Sequence, residues 1–215
     1  MQKLRNVLVG PREKPSLPAP EPPQSILVAT PKTIGSGEIH AAIERLATAI
    51  SARHGGKKTL VLLGVANGGI ELARRLAARV GELAPALDPR AGTLDISFHR
   101  DDIGQHPIPK EFSPTHIPAD IDGAAVILVD DVLFSGRTVK ASLDEVFDHG
   151  RPSKVELAIL VDRGGRLLPF SPDYCGLTLT AGRDEKVLVL LDSADPKRDL
   201  IRIGPTARTP SLATR

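Results

Sequence analysis

The chain has 215 residues, 41% hydrophobic, 25% charged and only 3% aromatic, with a formal charge of +2. That length accommodates one α/β domain with a sizeable core, and so few aromatic rings exclude a stacking platform for single-stranded nucleic acid. Residues 1–24 and 203–215 each carry a surplus of two positive charges, so the part between them is about −2 and global basicity makes no case for nucleic acid.

A single cysteine, Cys175, rules out an intramolecular disulfide and fits a reducing compartment. No stretch approaches the roughly 20 apolar residues that span a bilayer, and Gly10-Pro11 interrupts the only apolar run near the N-terminus. The expectation is a cytoplasmic protein with no membrane partner.

Residues 10–24, GPREKPSLPAPEPPQ, are rich in proline and charge, so residues 1–34 are expected to be a disordered Pro-rich tail. A helix follows over SGEIHAAIERLATAISARHGG, with Ser36 as N-cap, Ile39, Ile43, Leu46 and Ile50 inward, and Gly55-Gly56 as its stop. TLVLLGV (59–65) reads as a buried strand, and GIELARRLAARV as a helix with Leu72, Leu76 and Val80 inward. TLDISF (93–98) alternates like a half-exposed strand; residues 99–122 are long, polar and proline-bearing, as lids and binding loops are.

AAVILVD is the most apolar strand, followed by a helix from about Arg137 to His149 with Val139, Leu143 and Val146 on one face. VELAILVD (155–162) and KVLVLLD (186–192) read as further strands, and residues 204–215 as a loose tail, leaving 35–203 as the domain. Continuous apolar strands alternating with helices predict a parallel sheet covered on both faces, with ligands at the carboxyl ends of its strands. Asp130, Asp131, Asp162 and the 64–69 turn all fall at such ends.

The stretch AAVILVDDVLFSGRTV (124–139) joins two acids to a turn rich in hydroxyls and glycine. A strand that ends in a tight turn opening a helix directs backbone N–H groups at an anion. Gly136 permits close approach, and Ser135 and Thr138 offer hydroxyl donors. Asp130 and Asp131 would repel a bare phosphate, but carboxylates accept well from vicinal hydroxyls or hold Mg²⁺. A ribose 5-phosphate satisfies both halves.

VILVDDVLFSGRT resembles the phosphoribosyl-pyrophosphate (PRPP) motif of type I phosphoribosyltransferases. LDISFHRDDI (94–103), HGRPSKVELAILVDRGGRLLPFSPDYCG (149–176) and EKVLVLLD (185–192) are similar to the PyrR family, pyrimidine operon regulators that are also uracil phosphoribosyltransferases. The resemblance implies a type I phosphoribosyltransferase fold: a mostly parallel central sheet with helices on both faces, a flexible lid loop and a small hood. It also implies uracil, PRPP and UMP as ligands, indirect Mg²⁺ binding at Asp130 and Asp131, and a homodimer or higher oligomer.

Residue by residue, it assigns Asp130 and Asp131 to the ribose hydroxyls and catalysis. Leu133, Phe134, Ser135, Gly136, Arg137 and Thr138 would wrap the 5-phosphate. Val161, Asp162 and Arg163 would line the uracil pocket. Arg100 would serve catalysis at the root of the lid, with Asp101 and Asp102 beside it. Pyrimidine-operon leader RNA would meet a basic face, where Arg45 and Arg151 are candidates although the same helix offers Glu44 and Thr48.

One stretch departs from the family. Its pyrophosphate loop usually resembles Lys-Thr-Arg-Gly, whereas this chain has Ala66, Asn67, Gly68 and Gly69. Losing one charged donor beside a leaving group costs about 2–4 kcal/mol. Three functions therefore stay open: a uracil phosphoribosyltransferase with weakened catalysis, a UMP-sensing RNA-binding attenuator, and a nucleotide-binding protein with neither activity. A phospho-receiver pocket at Asp130-Asp131 explains neither the Ser-Gly-Arg-Thr turn nor the LVDRG strand end.

Overall fold

The structure is a computed structural model, and it describes residues 33–55, 59–99, 113–182 and 184–205. The proposed Pro-rich tail, apart from Thr33 and Ile34, and the lid residues Arg100, Asp101 and Asp102 lie outside them. In chain order the elements are β1 (Thr33–Gly35), α1 (Ser36–His54), β2 (Thr59–Val65), α2 (Gly68–Leu83), β3 (Asp88–Leu94), β4 (Ala125–Leu133), α3 (Arg137–His149), β5 (Lys154–Asp162), β6 (Tyr174–Thr178), β7 (Glu185–Leu190) and β8 (Leu200–Pro205).

Five of the strands form a parallel sheet in the order β3-β2-β4-β5-β6. Side chains alternate across its two faces. Leu60, Leu62, Ile127, Val129 and Leu160 pack beneath α1 and α2, while Val61, Leu63, Val126, Leu128 and Ile159 pack against Val139 and Val146 of α3. Burial on both faces is why these strands read as unbroken apolar runs. Each fully buried Leu, Ile or Val contributes about 1.5–3 kcal/mol.

The connection after β2 runs to β3 on one side, while the connection after the neighbouring β4 runs to β5 on the other. This reversal opens a crevice at the carboxyl ends of β2 and β4. A second sheet, antiparallel β1-β8-β7, stands above that crevice as the hood.

Four expectations shift. Gly35 rather than Ser36 precedes the first helix, and Ser36 is its first helical residue with no side-chain cap. The strand expected at 93–98 is instead β3 at 88–94, an edge strand, where Pro89 removes no essential ladder bond. β7 pairs antiparallel with β8 in the hood and is no part of the parallel sheet. The domain also reaches further than 35–203, because β1 takes up Thr33 and Ile34 and β8 runs to Pro205. Leu143 is half-buried, packed beside the α3-side core.

Candidate active site

β4 does not stop before its acids; Asp130 and Asp131 are its sixth and seventh residues. Alternation turns Asp130 toward the α3 side, where it is buried, and Asp131 toward the start of α2. The Asp131 backbone N–H donates to Asp130 Oδ1 at 3.0 Å. Burial pushes both carboxyls above the ordinary aspartate value of 3.8; the Asp131 charge raises Asp130 further, while Lys186 of the hood partly opposes the rise at Asp131. A desolvated pair of acids favours a ligand that brings positive charge or hydroxyl donors.

After Leu133 the chain turns through Phe134 and Ser135 to Gly136, whose φ of +91° favours glycine. A Cβ there would also come 2.9 Å from the Phe170 ring. α3 begins at Arg137 with no side-chain cap, leaving its first N–H groups to the turn. The Arg137 N–H donates to Ser135 Oγ at 3.3 Å. Thr138 is half-buried on the first turn.

A neighbouring loop holds this turn in shape. Leu167 and Leu168 N–H both donate to the Ser135 carbonyl at 3.0 Å. Arg166 donates to the carbonyls of Leu133 (3.2 Å), Phe134 (2.9 Å) and Phe170 (3.0 Å), and pairs with Asp162 at 2.5 Å. The partner of Asp162 is thus Arg166, not the adjacent Arg163.

Val161 is buried at the end of β5. Arg163 stacks over the Phe134 ring, 4.2 Å from its centroid, and donates to the hood carbonyls of Glu185 (2.9 Å) and Gly182 (3.1 Å). Its guanidinium is thereby a strut between turn and hood, beside a cavity of about 360 Å³ lined by Phe134, Gly164, Arg166 and Ala181.

Across the crevice, the 66–69 loop packs hard onto β4. Any Cβ at Gly69 would collide with the Val129 carbonyl, and one at Gly68 with the Asp131 carboxyl. The Ala66–Asn67 peptide is cis, and Ala66 N–H donates to Leu94 O at 3.0 Å. Between this loop and the hood lies a larger cavity of about 690 Å³, lined by Asn67, Gly68, Glu71, Asp131, Asp192 and Arg198 among others. Arg75 ties that wall to α2, donating to Asp192 O at 2.6 Å and pairing with buried Asp199, which also meets His40 at 3.0 Å.

Over residues 35–196 the chain matches the phosphoribosyl transferase domain family. It is 41% identical over 163 residues to the bifunctional protein PyrR of Geobacter sulfurreducens, covering 76% of this chain and 92% of that one. The Streptomyces coelicolor PyrR is 45% identical over 174 residues, covering 80% and 89%. The chain belongs to the PyrR family of phosphoribosyl transferases. Among solved structures, the hypoxanthine phosphoribosyltransferase of Trypanosoma cruzi shares the fold, with a TM-score of 0.59, 21% identity and coverage of 83% of this chain and 98% of that one. A hypoxanthine-guanine phosphoribosyltransferase of Bacillus anthracis gives 0.58 at 19% identity, covering 81% and 98%.

In this PyrR-family protein the structure brings Asp130, Asp131, the 133–138 turn and the 66–69 loop to one crevice, with Val161 to Arg163 beside them. It does not bring Arg45 or Arg151 there. Arg45 donates to Gly176 O at 2.8 Å on the far side of α1, and Arg151 lies 5.9 Å over the Phe147 ring. Cys175 is half-buried, its thiol pushed up by desolvation and donating to Leu177 O. Sequence reasoning missed Arg166, Asp192 and Arg198. An arginine following two glycines in DRGGR was a signal for the first; only the hood's placement reveals the other two.

Proposed function

We propose that the crevice binds UMP and PRPP, and that the protein transfers the phosphoribosyl group of PRPP to uracil slowly, serving as a UMP-responsive regulator of pyrimidine synthesis. The carrying observation is a desolvated acid pair at the sheet's reversal point, followed within five residues by a left-handed glycine turn that opens α3. In this reading Asp130 and Asp131 accept the ribose hydroxyls, and the N–H groups of 135–138 hold the 5-phosphate. Arg166 keeps the turn in its binding shape, and Arg163 closes the base side against the hood.

Uracil N1 attacks ribose C1 as the bond from C1 to the pyrophosphate oxygen breaks, and the N1 proton is lost. Positive charge develops on the ribose ring, so water must be kept out and the leaving group's charge met. The acid pair fits a hard divalent cation: two adjacent carboxylates, both raised by burial, are the oxygen donors Mg²⁺ takes. Asp131 on the sheet side and Asp192 on the hood side line the same cavity and would hold it, with Asp130 acting only indirectly; when bound, it neutralises pyrophosphate charge. In the loop itself only backbone N–H groups and the Asn67 amide face the leaving group, which is why turnover is proposed to be slow.

Leader RNA is not favoured at α1, where Arg45 is engaged by a carbonyl and Glu44 pairs with Arg79 at 2.8 Å. Self-association, which the family resemblance suggests, is tested by light scattering. UMP formation from uracil, PRPP and Mg²⁺ by purified protein tests the central reading, with Asp131→Asn as control. Turnover lost in the control supports transfer. UMP binding without turnover leaves a sensor, and neither binding nor turnover removes the proposal.

A further inference from the structure

Away from the crevice, ligand-type side chains converge where the chain leaving β3 meets the last turn of α3. His99 Nε2 lies 3.0 Å from Glu145 Oε2 and 3.3 Å from Asp148 Oδ2. One ligand atom from each of these three residues lies within 4.8 Å of the other two. His149 brings its Nε2 to 3.1 Å from Oε1, the other Glu145 oxygen.

Glu145, Asp148 and His149 stand at i, i+3 and i+4, so the helix turns all three onto one face. Glu145 is oriented by Thr115, whose hydroxyl donates to Oε1 at 2.7 Å. Supporting hydrogen bonds of this kind fix the direction of metal-binding carboxylates. Thr115 is held in turn by the Asp95 N–H at 3.0 Å, so the cluster is anchored to the chain on both sides.

Imidazole together with carboxylate is the donor set of borderline divalent metals, not of Mg²⁺. Zinc bonds of about 2.0–2.1 Å place neighbouring tetrahedral ligands about 3.3 Å apart. The spacings of 3.0 and 3.3 Å around His99 fall at that edge length with little rearrangement. Glu145 is well shielded and Asp148 open, which leaves a path for the ion to enter.

We propose that His99, Glu145 and Asp148, with His149 at the rim, bind one divalent transition-metal ion of the zinc type. The ion links the chain just past β3 to the helix whose first turn carries the proposed phosphate site. Its chemistry is structural: the three donors come from two segments 46 residues apart in sequence, and the ion joins them.

The test uses the full, tag-free chain stripped by chelator and titrated with Zn²⁺ in a calorimeter, with melting followed in parallel. The expected result is one ion per chain and a melting temperature that climbs with free zinc. His99→Ala and Asp148→Asn each weaken binding at least about tenfold, with the circular dichroism spectrum unchanged. Asp131→Asn and Cys175→Ser leave it intact. Binding that survives His99→Ala, or that disappears with Asp131→Asn or Cys175→Ser, places the ion elsewhere and overturns the proposal. So does the absence of a one-to-one isotherm at about 100 μM zinc, a range in which a real site saturates.

Discussion

The Asp131 carboxyl lies where a side chain on Gly68 would begin. Position 68, a basic one in the loop this family usually carries, is here both uncharged and spatially claimed by the acid proposed to face the ribose. Gly68→Ala must therefore push that carboxyl aside. UMP affinity is expected to fall about three- to tenfold, or about 0.7–1.4 kcal/mol, measured by calorimetric titration. Unchanged affinity would mean that Asp131 swings away without cost. Ala66 is half-buried, and Ala66→Lys is expected to raise kcat/KM about tenfold or more by returning one cation to the leaving group. An unaltered rate would detach the proposed slow turnover from the loop's missing charge.

Asp130 and Asp131 are both held above 3.8 by burial. A carboxyl raised on folding contributes its stability below its unfolded pKa, and that stability drains away as pH climbs through the folded value. Asp130→Asn removes this drain. The variant should melt higher than the parent at pH 8, by about 1–3 kcal/mol of stability, with the gap closing toward pH 4, while its turnover disappears. A variant less stable at pH 8 would show that Asp130 is already satisfied without ligand.

Arg166 serves four acceptors with one guanidinium, a geometry that an ammonium cannot reproduce. Arg166→Lys is expected to weaken UMP binding about ten- to a hundredfold, roughly 1.4–2.8 kcal/mol, without loss of helical signal. Binding within twofold of the parent would show that the Leu167 and Leu168 N–H bonds to Ser135 suffice to shape the turn.

Near the amino end of β5, Glu156 is buried against His54 at 2.6 Å and the Tyr174 hydroxyl at 2.8 Å, with Lys154 paired to it. Burial alone would raise this carboxyl, but the hydrogen bonds from Lys154, Tyr174 and His54 outweigh it and hold it at about 2. A lowered carboxyl gives stability above its unfolded value of 4.5 that is lost as pH falls toward 2. Glu156→Leu strands the buried partners and should cost about 3–5 kcal/mol at pH 7, read by urea unfolding. The penalty should shrink below pH 4.5; a constant penalty would assign it to packing.

How much of this was legible follows from where each signal resides. β2, β4 and β5 showed themselves because both faces are buried and the apolar runs are unbroken. β7 misled for the same reason: Leu188 and Leu190 are 42% and 46% exposed, yet being apolar they hid the alternation that marks a one-sided antiparallel strand. β3 was displaced because Pro89 and Gly92 argue against a strand, and only its edge position makes them tolerable. The half of the crevice proposed for ribose and phosphate is contiguous in the chain, so the strand, turn and helix start of 130–138 were visible as one motif. The hood half is assembled from distant segments: Asp192 and Arg198 reach the crevice only because Arg75 pins their loop through Asp199.

The hood also closes the chain on itself. β1 lies antiparallel beside β8, with Thr33 opposite Arg202, so the chain enters the domain next to where it leaves. Tension applied between the two ends would be borne by this three-stranded seam, with the five-stranded sheet left out of the path. A tether, a fusion or a bound partner acting at either end would thus pull first on the wall that carries Lys186 and Asp192. The crevice would feel such a load before the core did.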